Sequence, residues 1–157
     1  MDSGAARAKL DELLKQFGAT VGMPGLATED NGVCVLVFDG RTRLYLLVDH
    51  TTDHLIMWST LAALPAGQAE PALRALMRAN LFWNGTQGAT LGLMPDSDNV
   101  VLAIRRPVGA VDVEALRDLI ELVLERAEAL APIAAGETPP AAEPQEHAPS
   151  FPSAIRG

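Results

Sequence analysis

Asp49, His50, Asp53 and His54 put two carboxylates and two imidazoles within six residues, the densest group of proton-transfer and metal-ligating side chains in the chain. Only three histidines and one cysteine are present in all, so little remains to complete a ligand set. A metal centre needs several convergent ligands, and acid-base chemistry needs an enclosing pocket. These four residues fall in a polar connection between two apolar runs, where aspartate is common because its carboxylate bonds the local backbone. We therefore read them as turn formers. Gly85, Gly88 and Gly92 are equally unsuited to cradle a phosphate: no Lys-Ser/Thr pair follows the last glycine, and an alternating pattern follows where a helix would be required. Cys34, alone, excludes an internal disulfide and a CxxC pair, and its apolar neighbours make it a small core residue. Asn84-Gly85-Thr86 matches a glycosylation sequon, but no basic and apolar leader pattern follows Met1, so no secretory route is expected. Neither a GxSxG elbow nor an HExxH helix occurs. The expectation is a protein that is not an enzyme and holds no metal or cofactor.

The bulk properties point toward binding. A hydrophobic content of 48% over 157 residues supports a real core, and a net charge of -8 disfavours nucleic acid as a partner. No apolar run is long enough to span a bilayer, so membrane insertion is not expected and the predicted location is the cytoplasm. Residues 1–133 carry periodic patterns and form one predicted domain. Residues 134–157, rich in Pro, Ala and Glu, lose all periodicity and are predicted to be a disordered tail.

Three amphipathic helices and five strands are legible. Leu10, Leu13, Leu14 and Phe17 mark one face of a first helix, with Gly18 as its stop. Val33 to Phe38, Arg43 to Val48 and His54 to Thr60 read as antiparallel strands, the first two joined at Asp39-Gly40. Pro71 opens a middle helix whose stripe is Leu73, Leu76, Met77 and Leu81. It runs to Trp83, where Asn84 and Gly85 supply a left-handed cap. Ala89 to Met94 and Val100 to Arg105 form a hairpin. Asp112 caps a last helix that runs to Leu130, with an acidic outer face and Pro132 as its end. The predicted fold is α+β, in the order α-β-β-β-α-β-β-α, with helices on a twisted, mostly antiparallel sheet.

The strands are apolar on both faces, and two apolar faces need two covers; if the three helices occupy only part of both, apolar surface is left for another chain. Leu14, Phe17, Val35, Val37, Leu46 and Met57 are the candidates for that patch, or else ordinary core; strand register decides and sequence does not fix it. The middle helix, with Phe82, Trp83 and Leu91 beside it, packs either on its own sheet alone or also against another surface, since large aromatics serve cores and interfaces alike.

The run Ala79-Asn80-Leu81-Phe82, then Gly85-Thr86 and Gly88-Ala89-Thr90-Leu91-Gly92-Leu93, closely resembles the signature of the Tir-chaperone (CesT) family of type III secretion chaperones. Leu13-Leu14 with Phe17-Gly18 and Met23-Pro24, the strand from Gly32 to Asp39, and Leu61 to Pro65 extend the likeness over Leu10 to Leu130. Ala62 and Gln87 stand where that family more often has glycine or a small residue. The resemblance implies a class I chaperone that binds the N-terminal segment of a secreted effector, keeps it partly unfolded and presents it to the export apparatus, using no nucleotide itself. It also implies a homodimer, with Leu73, Leu76, Met77, Leu81, Phe82, Trp83 and Leu91 at the interface, and the secretion ATPase as a further partner. A dimeric adaptor or sensor of similar fold, unconnected with secretion, is the alternative.

Overall fold

A computed structural model describes residues 3–137. Helix α1 (Ser3–Val21) is followed by strands β1 (Cys34–Phe38), β2 (Thr42–Asp49) and β3 (His54–Ala63), helix α2 (Ala69–Asn80), strands β4 (Thr90–Leu93) and β5 (Asn99–Pro107), and helix α3 (Val113–Ala134). Short 3-10 turns at Leu81–Trp83 and Val108–Ala110 link α2 to β4 and β5 to α3. The element order is the expected one.

The five strands form one antiparallel sheet in the order β1-β2-β3-β5-β4. Alternation sends Cys34, Leu36, Leu44, Leu46, Val48, Leu55, Met57, Val100, Leu102 and Ile104 to one face, where all are buried. All three helices lie on that face. Helices α1 and α3 pack on it through Leu10, Leu14, Phe17, Leu116, Ile120 and Val123. Helix α2 closes a smaller core of Leu64, Ala72, Leu76, Val100 and Ala134 beside them. Covers on both faces were expected; among the described residues no helix lies on the opposite face. Between Thr60 and Ala62 a register shift in β3 adds a residue, which changes the strand's alternation where the two cores meet.

Local chemistry explains the ends of these elements. Helix α1 runs on through Gly18 to Val21, so that glycine is not a stop. It sits where a Cβ would collide with the Met23 carbonyl, and the Met23 N–H donates to the Gly18 carbonyl at 2.8 Å, folding the chain back. The connection to β1 is pinned to α1: Asp11 Oδ1 accepts from the Thr28 N–H at 2.7 Å and its hydroxyl at 2.8 Å, while the Arg7 Nε–H donates to Thr28 Oγ1 at 2.9 Å. Asp39 and Gly40 both take positive φ, as the hairpin between β1 and β2 requires. Asp112 caps α3, accepting from the Ala115 N–H at 2.8 Å. That helix continues past Pro132 to Ala134, which is fully buried, and that burial offsets the backbone hydrogen bond that Pro132 cannot donate. The boundary predicted at 133 therefore falls inside α3. Residues 138–157 of the predicted tail lie outside the described residues.

The face assignment is open to a direct check. Leu46→Ala empties a fully buried site and is expected to lower stability by about 2–5 kcal/mol. Val37→Ala, one strand away but on the uncovered face, is expected to change it by less than about 0.5 kcal/mol. Urea denaturation of both variants measures the contrast.

Candidate functional site

The uncovered face is built from the other half of the alternation. Register places Val35, Tyr45, Trp58 and Ala103 in one row across β1, β2, β3 and β5. A second row holds Leu47, Ile56 and Arg105, and a third pairs Val37 with Arg43. Tyr45 and Trp58 stack with ring centroids 5.1 Å apart and planes 14° from parallel, which fixes a flat aromatic platform in the middle of the face. Tyr45, Leu47, Ile56 and Trp58 are half-buried, and Val35 and Val37 are exposed. The result is a continuous apolar surface held rigidly by five paired strands, with β1 as one free edge.

This placement divides the six residues predicted for a client patch. Val35 and Val37 are on the open face. Leu14, Phe17, Leu46 and Met57 are core: Leu14, Leu46 and Met57 have no exposed surface and Phe17 has 4%. Leu46 and Met57 point to the helices because register put the even-numbered half of β2 and the odd-numbered half of β3 inside, and Leu14 and Phe17 lie on the buried side of α1 against them. Tyr45, Leu47, Ile56 and Trp58 are the residues the prediction left out. Their signal was the same alternation read from the other side.

A second apolar surface surrounds α2. Of the seven residues predicted there, Met77, Leu81, Phe82 and Trp83 are exposed, Met77 by 68%, while Leu73 and Leu91 are half-buried and Leu76 is turned into its own core. Between α2 and β4 runs an apolar groove of about 230 Å³, lined by Leu73, Met77, Leu91 and Leu93 among others. The helix ends at Asn80 rather than Trp83, because Phe82 and Trp83 take positive φ and swing the chain outward. Asn84, expected in the left-handed cap, is instead helical. Gly85 answers a different need: a Cβ there would lie 2.8 Å from the Ala79 Cβ, while the Gly85 N–H donates to the Ala79 carbonyl at 3.1 Å. Asn80 Oδ1 accepts from the Leu91 N–H at 3.0 Å and ties the helix end to β4. Gln87 occupies the left-handed region at φ 53, where the resembled family more often has glycine or a small residue.

The polar cluster is a turn. Asp49 Oδ1 accepts from the Thr51 N–H at 2.9 Å and its hydroxyl at 2.7 Å, and Oδ2 accepts from the Thr52 hydroxyl at 2.7 Å. His54 Nδ1 lies 2.6 Å from the Thr52 carbonyl. Among the described residues no group of three or more His, Cys, Asp or Glu side chains is placed to hold a metal ion. The threonine hydrogen bonds, aided by Arg105, pull Asp49 down to about 2 from an ordinary 3.8. Burial, with Asp11 and Glu29 nearby, pushes the Cys34 thiol up to about 11, so it stays protonated at neutral pH. Among the described residues no helix is long and apolar enough to cross a membrane.

Comparison with known proteins places these surfaces in context. The sequence profile of the Tir chaperone protein (CesT) family matches residues 12–131. The Tir chaperone of Citrobacter freundii is 26% identical over 118 residues, covering 75% of this chain and 74% of that protein. The solved ExsC–ExsE complex contains a chain of the same fold, with a TM-score of 0.71 and 20% identity over 84% of this chain and 98% of that one. A chain in the heterodimeric ExoU–SpcU complex from the type III secretion system of Pseudomonas aeruginosa gives 0.61 and 20%, over 80% and 97% respectively.

The Asp49 turn yields a pH signature. Its folded-state pKa is depressed, so its contribution is complete above the ordinary value of 3.8 and is lost as pH falls through about 2. Asp49→Asn is therefore expected to be less stable than the parent at neutral pH, with the difference shrinking between about pH 4 and pH 2. Denaturant melts of the two proteins across that range test it.

Proposed function

Since the chain belongs to the Tir chaperone protein (CesT) family, we propose that it acts as a cytoplasmic homodimer that holds the N-terminal segment of a type III effector on its open sheet face until export. The observation that carries this reading is the open apolar face: a sheet packed by three helices on one side and, among the described residues, by no helix on the other. Apolar side chains of an effector segment that is not yet folded would find on Val35, Val37, Tyr45, Leu47, Ile56 and Trp58 the burial they lack in water. The outer edge of β1 offers unpaired backbone groups to which an extended stretch of the same segment can add. Nothing in this role calls for a cofactor or a catalytic group.

The second surface suits self-association. Met77, Leu81, Phe82 and Trp83 present large apolar side chains around one helix and its exit, and the groove between α2 and β4 can receive the same residues from a twofold-related copy. Dimerisation there leaves the open face of each protomer free for the client. The secretion ATPase is the partner to which the loaded dimer would be delivered.

Sedimentation at micromolar concentration is expected to show a dimer, and Met77→Lys with Trp83→Ala to weaken it by about 2 kcal/mol or more. Co-purification should capture one or two larger proteins by their N-terminal regions. Val37→Asp is expected to leave a folded dimer that loses its client, whereas Leu46→Asp unfolds the chain because it buries an unpaired carboxylate. A monomeric parent, or a Val37→Asp protein that keeps its client, would contradict the assignment.

A further inference from the structure

The open face is basic on a protein that is not. The whole chain carries a net charge of -8, and the outward side of α3 is lined by Glu114, Asp118, Glu121, Glu125 and Glu128. Yet the charged side chains flanking the aromatic platform are both arginines. Arg43 lies two residues before Tyr45 on β2, and Arg105 lies two residues beyond Ala103, the partner of Trp58. Both are exposed, and neither forms an ion pair with another described residue. The remaining titratable groups of that face are at its far end, where Asp49 pairs in register with His54. Asp49 feels Arg105 but spends both its oxygens on Thr51 and Thr52.

The sheet itself sets the spacing. Four residues along the strands and two strands across put the Cα atoms of Arg43 and Arg105 about 17 Å apart, with Trp58 at the midpoint of the diagonal. Each arginine arm is long enough that leaning about 3–4 Å toward that midpoint would set the guanidinium groups about 10 Å apart, the rise of one heptad of α-helix. A helix with acidic residues at i and i+7 presents them on one face, with the residues at i+3 and i+4 between them.

Resting on the reading that the client lies on this face, we propose that the face selects an amphipathic client segment in which apolar side chains are flanked by carboxylates one heptad apart. The apolar side chains sit on the Tyr45–Trp58 stack, and the carboxylates meet Arg43 and Arg105. Screening confines the opposing forces: the arginine field acts within about 8 Å at physiological salt, while the acidic body repels carboxylates placed anywhere else. Charge then selects both the residue and its register.

The test uses the full chain and two synthetic amphipathic peptides identical except at the i and i+7 positions, which are Glu in one and Lys in the other. By calorimetry the Glu peptide is expected to bind at least about 10-fold more tightly, an advantage that falls with added salt. Arg43→Gln with Arg105→Gln should abolish the preference, Arg43→Glu with Arg105→Glu should reverse it, and Trp58→Ala should weaken both peptides, each variant being checked for fold by circular dichroism. Equal binding of the two peptides, still weakened by Trp58→Ala, would overturn charge selection and leave the open-face reading standing. Binding of neither peptide, together with client capture unaffected by Trp58→Ala, would overturn both. A Glu preference that survives loss of the arginines places the selection elsewhere and overturns the proposal. So does a face that admits the Glu peptide only after residues 138–157 are removed, since the chain's own segment would then be its occupant.

Discussion

Every surface of this protein follows from the placement of all three helices on one side of a sheet that is apolar on both. The covered side gains the burial of Leu44, Leu46, Met57, Leu102 and the helix stripes above them. The other side keeps a stacked aromatic pair and a row of branched side chains in water. A sheet with a wet face ordinarily makes that face polar. Here the polarity has gone to the helices, most of all to the acidic outside of α3, which maintains solubility while the sheet stays available.

That arrangement also separates two apolar surfaces. The open face spans β1, β2, β3 and β5, whereas the exposed residues around α2 lie on the helix side and at the β4 end. Either surface can be occupied without blocking the other. The corner after α2 makes this possible. The Ala79–Gly85 approach and the bond from Asn80 to Leu91 turn the chain sharply enough to leave Phe82 and Trp83 outside.

What could be read in the residues was local. The three-and-four spacing of Leu116, Leu119, Ile120 and Val123, the cap at Asp112, and Asp39-Gly40 between two β-branched runs each state their own structure within a few positions. The choice of face could not be read this way. Val35 and Leu36 look alike to any local rule, and only the pairing of Val35 with Tyr45, set by three strands and two helices together, decides which one meets water. For that reason Leu14, Phe17, Leu46 and Met57 were drawn into the predicted patch, while Tyr45 and Trp58 stayed out. The corner was legible as a motif but not as a mechanism. Gly85 is needed where two backbones meet, and besides Gly88 the positive-φ positions fall on Phe82, Trp83 and Gln87, which no propensity favours.

The two cores are unequal. Helices α1 and α3 are anchored over most of the sheet, whereas α2 rests on Leu64, Val100 and Ala134 through only two buried residues of its own, Ala72 and Leu76. Opening free energy scales with what an element buries, so of the three helices α2 is the one expected to open at the lowest cost. Its amides exchange with solvent ahead of those of β2 and β3, and a partner seated against it would slow them selectively. The helix that carries the exposed Met77 is thus also the most loosely held of the three, and any partner seated against it would hold it down.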